Sequence, residues 1–315
     1  MKIRLSIIAL IWSFTAVSNA AFAGELHVFT SDAAGFNTHS VWYDDGKEVT
    51  VVDSQFTPAH ADALVAEIKK QSNSPITRII VTHPNPDKFN ALSVFHKEGA
   101  DSIASAKTAA AIPGVDAYKH YFWVKIAKAF TDETYPKVEP VKTTYNGKKV
   151  INLKSGETIT LFELKNPGVS SNQTVVRIDS TGDLIVGDLV HTKNHAWLEG
   201  GIVEGTAVPT IEGWKAALQE LLLLGNGNVY GGRGEFVNVN QAVAQQTAYL
   251  DKANAIVDDY INELGTNVDE LANPTKQAAH FAAIQSEFAK AYPDYAMADL
   301  IGYSVYGLVQ QKLVQ

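Results

Sequence analysis

The stretch Ile76-Thr-Arg-Ile-Ile-Val-Thr-His-Pro-Asn-Pro-Asp-Lys-Phe-Asn-Ala-Leu92 joins an apolar run to a crowded polar loop. Residues 76–81 have the β-branched composition of a buried strand. Pro84 and Pro86 are expected to end that strand and to prevent a helix from starting cleanly after it. Polar groups at the end of a buried strand are typical of functional sites in α/β proteins. The loop therefore supplies the first candidate site residues, which are His83, Asn85, Asp87 and Lys88.

Composition limits the classes of protein that this chain can be. Its 315 residues are 46% hydrophobic and 19% charged, which suits a globular protein with a large core. A formal net charge of −8 argues against binding to nucleic acid. The chain has no cysteine, which excludes thiolate catalysis, cysteine metal sites and disulfides.

The N-terminus resembles a secretory signal peptide. Lys2 and Arg4 precede an apolar segment at 5–17, and Ala21-Phe22-Ala23 matches a cleavage site. The apolar segment is too short to favour a transmembrane helix, and we find no later one. Residues 1–23 are therefore predicted to be removed, and the mature protein is expected to be periplasmic or secreted.

The order of predicted elements indicates α/β layering. The turn at Asp44-Asp45-Gly46-Lys47 predicts an opening hairpin, after which strands and helices alternate. A helix is expected over 107–112, with Pro113 as its end. Residues 238–315 are predicted to be all helical, with one of the helices over 294–313.

Two later strand ends carry glycine-marked motifs, Gly187-Asp188 and Gly232-Arg233-Gly234. In their order and context, these motifs and the 83–88 loop resemble the metallo-β-lactamase superfamily over roughly residues 26–236. The resemblance implies a four-layer αββα sandwich at 24–237, with a C-terminal helical extension at 238–315.

The resemblance also implies a metal site, with zinc as the possible cofactor and His83, Asp87 and Asp188 as retained ligands. Most of the ligand positions are nevertheless lost. The residues at the superfamily's remaining histidine positions are Asn85, Lys88, Arg233 and, approximately, Val169. An ammonium and a guanidinium offer no lone pair and repel a dication.

The two cations balance two carboxylates. We hypothesise that Lys88 and Arg233 pair with Asp87 and Asp188 in a salt-bridge network that replaces the charge of the metal. Asp53, at another strand end, is expected to brace the loop rather than to perform chemistry.

Other candidates flank the cleft. His191 and His195 could form a relocated metal site with His83, but they are interpreted as polar residues of the cleft rim. With Asn85 and Trp197 they are the candidate substrate-binding residues. The aromatic residues of 115–135 are interpreted mainly as core residues, a minority of which line a pocket mouth.

The expected partner is a small molecule, as substrate or ligand, and two alternative functions follow. The first is a periplasmic hydrolase of an ester, lactone or amide, with a reduced or altered metal site. The second is a metal-free pseudoenzyme that binds through the ancestral cleft. The candidate catalytic residues are His83, Asp87, Lys88, Asp188 and Arg233.

Overall fold

The computed structural model describes residues 24–208 and 210–314. The predicted signal peptide at 1–23 lies outside the described residues. Within the described part, no helix is both long enough and apolar enough to cross a bilayer.

The N-terminal half forms a six-stranded sheet whose strands follow one another in chain order. The pairs β1·β2 and β2·β3 are antiparallel, the second as the turn at 44–47 predicts, and the later pairs are parallel. The strands are β1 (Glu25–Thr30), β2 (His39–Asp44), β3 (Val49–Val52), β4 (Ile76–Ile80), β5 (Asp101–Ser105) and β6 (Thr143–Tyr145).

The second sheet has the strand order β14-β13-β10-β9-β8-β7, and β11 and β12 form a separate hairpin. In it β10 and β13 run parallel, so both point their carboxyl ends toward one edge. The strands are β7 (Lys148–Asn152), β8 (Thr158–Glu163), β9 (Thr174–Ile178), β10 (Leu184–Thr192), β11 (Gly201–Val203), β12 (Thr206–Val208), β13 (Asn228–Gly234) and β14 (Val237–Asn238).

Helices cover the outer faces of both sheets. The α-helices are α1 (Pro58–Gln71), α2 (Pro86–Phe89), α3 (Leu92–Lys97), α4 (Ala106–Tyr121), α5 (Ile211–Leu221), α6 (Val239–Leu264), α7 (Gln277–Ala291), α8 (Ile301–Ser304) and α9 (Tyr306–Val314). A π-helical turn at Phe122–Ile126 continues α4, and short 3-10 segments lie at Ala33–Gly35, Gly265–Ala272 and Ala298–Leu300.

The alternation of side chains along the strands builds the layers. In β4, Ile79 packs toward the helices of the first sheet, whereas Ile80 packs between the two sheets. Ile185 of β10 enters the same inter-sheet layer, and Val186 faces the helices of the second sheet. The four-layer αββα sandwich predicted from the sequence is confirmed.

Two expectations about prolines are wrong. Pro86 begins α2, because proline at the first helical position loses no helical hydrogen bond. Pro113 lies inside α4, which continues to Tyr121. Continuing the helix past Pro113 buries Val115 between α4 and the first sheet, which offsets the hydrogen bond that the proline cannot donate.

The C-terminal helices share a hydrophobic core with the second sheet. Leu250 of α6, Phe288 of α7 and Leu308 of α9 belong to the same buried cluster as Trp214 of α5. The single helix expected over 294–313 is instead broken, with Met297 in a left-handed conformation at φ 64° before α8 and α9. The division predicted at residue 237 remains a proposal.

We expect Trp214→Ala to lower the free energy of unfolding by about 3–5 kcal/mol. The side chain is 1% exposed, and its Nε1 donates to the Leu189 carbonyl at 2.9 Å. Urea denaturation measures the change. Leu223→Ala is the matched control, because Leu223 is 86% exposed, and it should change stability by less than about 0.5 kcal/mol. Equal losses in the two variants would contradict this packing.

Candidate ligand-binding site

The end of β4 is tied to the end of β3 by hydrogen bonds. Asp53 Oδ1 accepts from both the backbone N–H and the hydroxyl of Thr82, each at 2.9 Å. The Thr82 Oγ1 atom in turn lies 2.9 Å from His83 Nδ1. Since the hydroxyl donates to Asp53, its oxygen accepts from the ring, and the proton of a neutral His83 is on Nδ1. The predicted bracing role of Asp53 is therefore confirmed.

The short helix α2 delivers two charged side chains to the same place. Asn85 is its N-cap residue, and the helical turn places Asp87 and Lys88 side by side. The backbone carbonyl of Lys88 accepts from Ser54 N–H at 3.1 Å, which fixes α2 to the segment after β3. The side chain of Lys88 is completely buried.

Asp188 and Arg233 come from the parallel strands β10 and β13. Gly187 has φ 52°, and a Cβ there would overlap the Thr82 hydroxyl. A Cβ on Gly232 would overlap Asp188 Oδ1 and lie 2.8 Å from Lys88 Nζ. Both glycines are therefore required by close approach.

Four side chains form a closed ring of alternating charge, which we call the charge ring: Lys88, Asp87, Arg233 and Asp188. Lys88 Nζ lies 2.8 Å from Asp87 Oδ2 and 2.8 Å from Asp188 Oδ1. Arg233 completes the ring at 2.9 Å from Asp87 Oδ2 and 2.7 Å from Asp188 Oδ2. The hypothesised ion pairs are confirmed in geometry.

The charge ring keeps its members ionised. Burial raises the pKa of Asp188, but the Arg233 guanidinium and the Lys88 ammonium outweigh it and hold that pKa well below its usual range. Burial lowers the pKa of Lys88, yet Asp188 and Asp87 raise it by more, to above the ordinary value. Lys88 is therefore held in its charged form, which disfavours a role for its amine as a nucleophile or base.

A pocket that is partly open to solvent lies over the charge ring. Seven of the nine candidate residues line it, whereas His83 and Lys88 are buried beneath it. The seven are Asn85, Asp87, Asp188, His191, His195, Trp197 and Arg233.

A model of the metallo-beta-lactamase superfamily matches residues 33–233, which is more than half of the chain. The chain belongs to the metallo-β-lactamase superfamily. A metallo-beta-lactamase from Pontibacter korlensis is similar in structure, with 15% identity and a TM-score of 0.53 over 72% of this chain and 94% of that one. The FIM-1 metallo-beta-lactamase from Pseudomonas aeruginosa, in a mono-zinc form, gives 14% identity and a TM-score of 0.52 over 73% and 91%. The family model confirms the predicted family, and the structural likenesses confirm the fold.

The donor set of this superfamily member does not fit zinc. Among the described residues, no group of three His, Asp or Glu side chains is arranged to hold a metal ion. The Lys88 ammonium lies between Asp87 and Asp188, where it would repel a dication. His83 Nε2 is 3.7 Å from Asp188 Oδ2 and has no hydrogen-bond partner within the described chain.

His191 and His195 both line the pocket but lie on different elements of the structure. His191 lies on β10, with its backbone N–H donating to Gln246 of α6, and His195 lies in the following loop. Burial lowers the pKa of His191 to about 3 and that of His195 to about 4, so both are neutral at pH 7. Each has a buried ring nitrogen with no hydrogen-bond partner in the described residues.

The sequence did not indicate several other members of the pocket wall. Phe36 and Phe56 add aromatic surface to the wall. Thr38, which is buried and does not line the pocket, donates to Asp87 and accepts from Arg233. Leu300 and Ile301 reach the pocket from the C-terminal segment. Trp123 also lines it, which fits the minority role expected for the aromatic residues of 115–135.

Lys119 completes the wall from α4. Its ammonium pairs with Glu199, which also accepts from Tyr118 Oη at 2.9 Å and Trp197 Nε1 at 2.9 Å. Lys119 and Glu199 are 5% exposed each, so this second ion pair is also buried.

We expect Lys88→Met to lower the free energy of unfolding by about 3–5 kcal/mol, because it leaves two buried carboxylates with one cation. Chemical denaturation at pH 7 measures the loss. Lys69→Met is the control, because Lys69 is 58% exposed in its pair with Glu98, and its cost should be about 0–1 kcal/mol.

The double variant Lys88→Met/Asp188→Asn restores charge balance and should regain much of that stability. A Lys88→Met loss no larger than that of the control, or no recovery in the double variant, would contradict an ionised charge ring.

Proposed function

We propose that this protein is a metal-free member of the superfamily that binds a small molecule in the pocket above the charge ring. One observation carries the proposal: Lys88 Nζ lies 2.8 Å from both carboxylates of the former metal site. The ammonium provides there the positive charge that a metal would supply.

The surroundings support a binding role. The ring neutralises its own charges, so the fold needs no metal to pair its buried carboxylates. The pocket has the mixed polar and apolar walls of a small-molecule site. The signal-like sequence at 1–23 supports a periplasmic or secreted location.

A second candidate function is hydrolysis of an ester, lactone or amide through a reduced or altered metal site. It is favoured by His83 Nε2, a buried imidazole nitrogen that lacks a hydrogen-bond partner among the described residues and lies near Asp188. Such a function would require Lys88 to leave its position between the carboxylates.

Metal content separates the two functions. Protein purified without a histidine tag should contain no stoichiometric zinc or iron, and zinc calorimetry should show no binding at the site. Wild type should also hydrolyse no ester, lactone or amide of a test panel, with or without added zinc. One metal ion per chain, together with turnover that Asp188→Ala abolishes, would establish the hydrolase instead.

The variant Lys88→His/Arg233→His should gain a zinc site, because it supplies two imidazoles beside Asp87 and removes both cations. Calorimetry should give about one zinc ion per chain, the number that a single three-donor site holds. Lys88→Met/Arg233→Met is the matched control, because it removes the same charges without adding donors, and it should bind zinc at least about tenfold more weakly than the histidine variant. Circular dichroism of both variants checks that each is folded.

A further inference from the structure

The pocket wall is electrically neutral. Among its described residues, the formal charges are those of Asp87, Lys119, Asp188 and Arg233. Lys119 pairs with Glu199, and the other three pair within the charge ring, whose fourth member is Lys88. The two histidines of the wall add no charge at pH 7.

We propose that the ligand of this pocket is an uncharged, largely apolar organic molecule that carries a hydrogen-bond acceptor such as a carbonyl oxygen. This inference rests on the proposed binding function and specifies its ligand. It differs from a site that recognises an anion, in which a cation is left available for the ligand.

The cost of burying charge selects against an ionic ligand. A carboxylate or ammonium group that enters the pocket loses its hydration. To recover that energy it would need a counter-charge, but Lys119 and Arg233 are already paired. Taking either cation from its carboxylate would leave Glu199 or Asp188 buried and unpaired. An uncharged ligand avoids both costs.

Aromatic rings supply part of the apolar wall. Phe36 packs edge-on against Phe56 at 4.9 Å between ring centroids and lies 5.2 Å from the ring of Trp123. Leu300 and Ile301 close the pocket from the C-terminal segment. These side chains offer dispersion and hydrophobic contact to a flat or aliphatic molecule, without regard to its charge.

His195 supplies a hydrogen-bond donor. Its Nδ1 lies 3.1 Å from Tyr249 Oη, an oxygen that already accepts from the Ala196 backbone N–H. The buried tyrosine hydroxyl needs an acceptor for its own proton, and His195 Nδ1 provides it. The ring proton of the neutral histidine is then on Nε2, which is buried and has no partner among the described residues. Since His195 lines the pocket, a ligand acceptor that reached this N–H would complete its hydrogen bonding.

The test uses four naphthalene probes of nearly equal shape: 2-naphthamide, 2-naphthoate, 2-naphthylmethylamine and 2-methylnaphthalene. Calorimetry at pH 7, with quenching of tryptophan fluorescence as a second signal, measures each dissociation constant. The amide should bind at least about tenfold more tightly than the carboxylate or the amine, because both ions lose hydration without gaining a free counter-charge. It should also bind more tightly than 2-methylnaphthalene.

Two variants test the separate parts of the inference. Glu199→Gln leaves Lys119 unpaired, so the variant should gain affinity for 2-naphthoate while its affinity for the amide changes little. His195→Phe removes the donor, so it should weaken binding of the amide and leave that of 2-methylnaphthalene almost unchanged. Circular dichroism and thermal unfolding establish that both variants are folded.

The wild-type protein alone can overturn the inference. Binding of the carboxylate or the amine as tightly as the amide would show that the wall accepts charge, and the metal-free binding function would still stand. Failure of all four probes to bind would also overturn this ligand class. The proposed function fails on a different result, which is stoichiometric metal accompanied by hydrolysis.

Discussion

The interaction on which the site depends is the contact of one ammonium with two buried carboxylates. Asp87 lies on α2, which follows the first sheet's strand β4, and Asp188 lies on β10 of the second sheet, so their repulsion would otherwise oppose the joining of the two halves of the sandwich. Lys88, with Arg233 opposite it, turns that repulsion into a closed set of ion pairs. The desolvation of four charged groups is offset only because each group has two partners at hydrogen-bond distance.

The surrounding backbone is shaped to bring these groups together. Gly232 leaves the space that the Asp188 carboxylate occupies, and Gly187 lets β10 approach Thr82. Asp53, itself in a left-handed conformation at φ 69°, holds the end of β4 through Thr82. The close backbone approaches and the left-handed conformations that the site requires therefore lie at the strand ends, where the sequence motifs also lie.

The ring and the sandwich could be predicted because their signals are local. Two cations stand at positions where the superfamily has metal-binding histidines, and the nearby carboxylates make charge pairing the simplest outcome.

The pocket wall could not be predicted in the same way. The apolar spacing of α7 shows that Phe288 is buried but does not identify the sheet or helix that covers it. The left-handed Met297, which turns Leu300 and Ile301 toward the pocket, has no signal comparable to a glycine. Pro113 shows the same limit, since burial of its neighbours overrides a local helix-breaking preference.

The closed charge ring also constrains how this site can change over generations. Replacing either cation alone by a neutral residue leaves the ring with an excess negative charge in a buried place. Replacing one carboxylate alone leaves an excess positive charge. Positions 87, 88, 188 and 233 are therefore coupled, and an exchange at one of them is tolerated best when a compensating exchange accompanies it. A change between a metal-binding and a metal-free form of this site therefore requires substitutions in pairs. A variant that carries only one substitution of a pair would be less stable than either the starting or the final form.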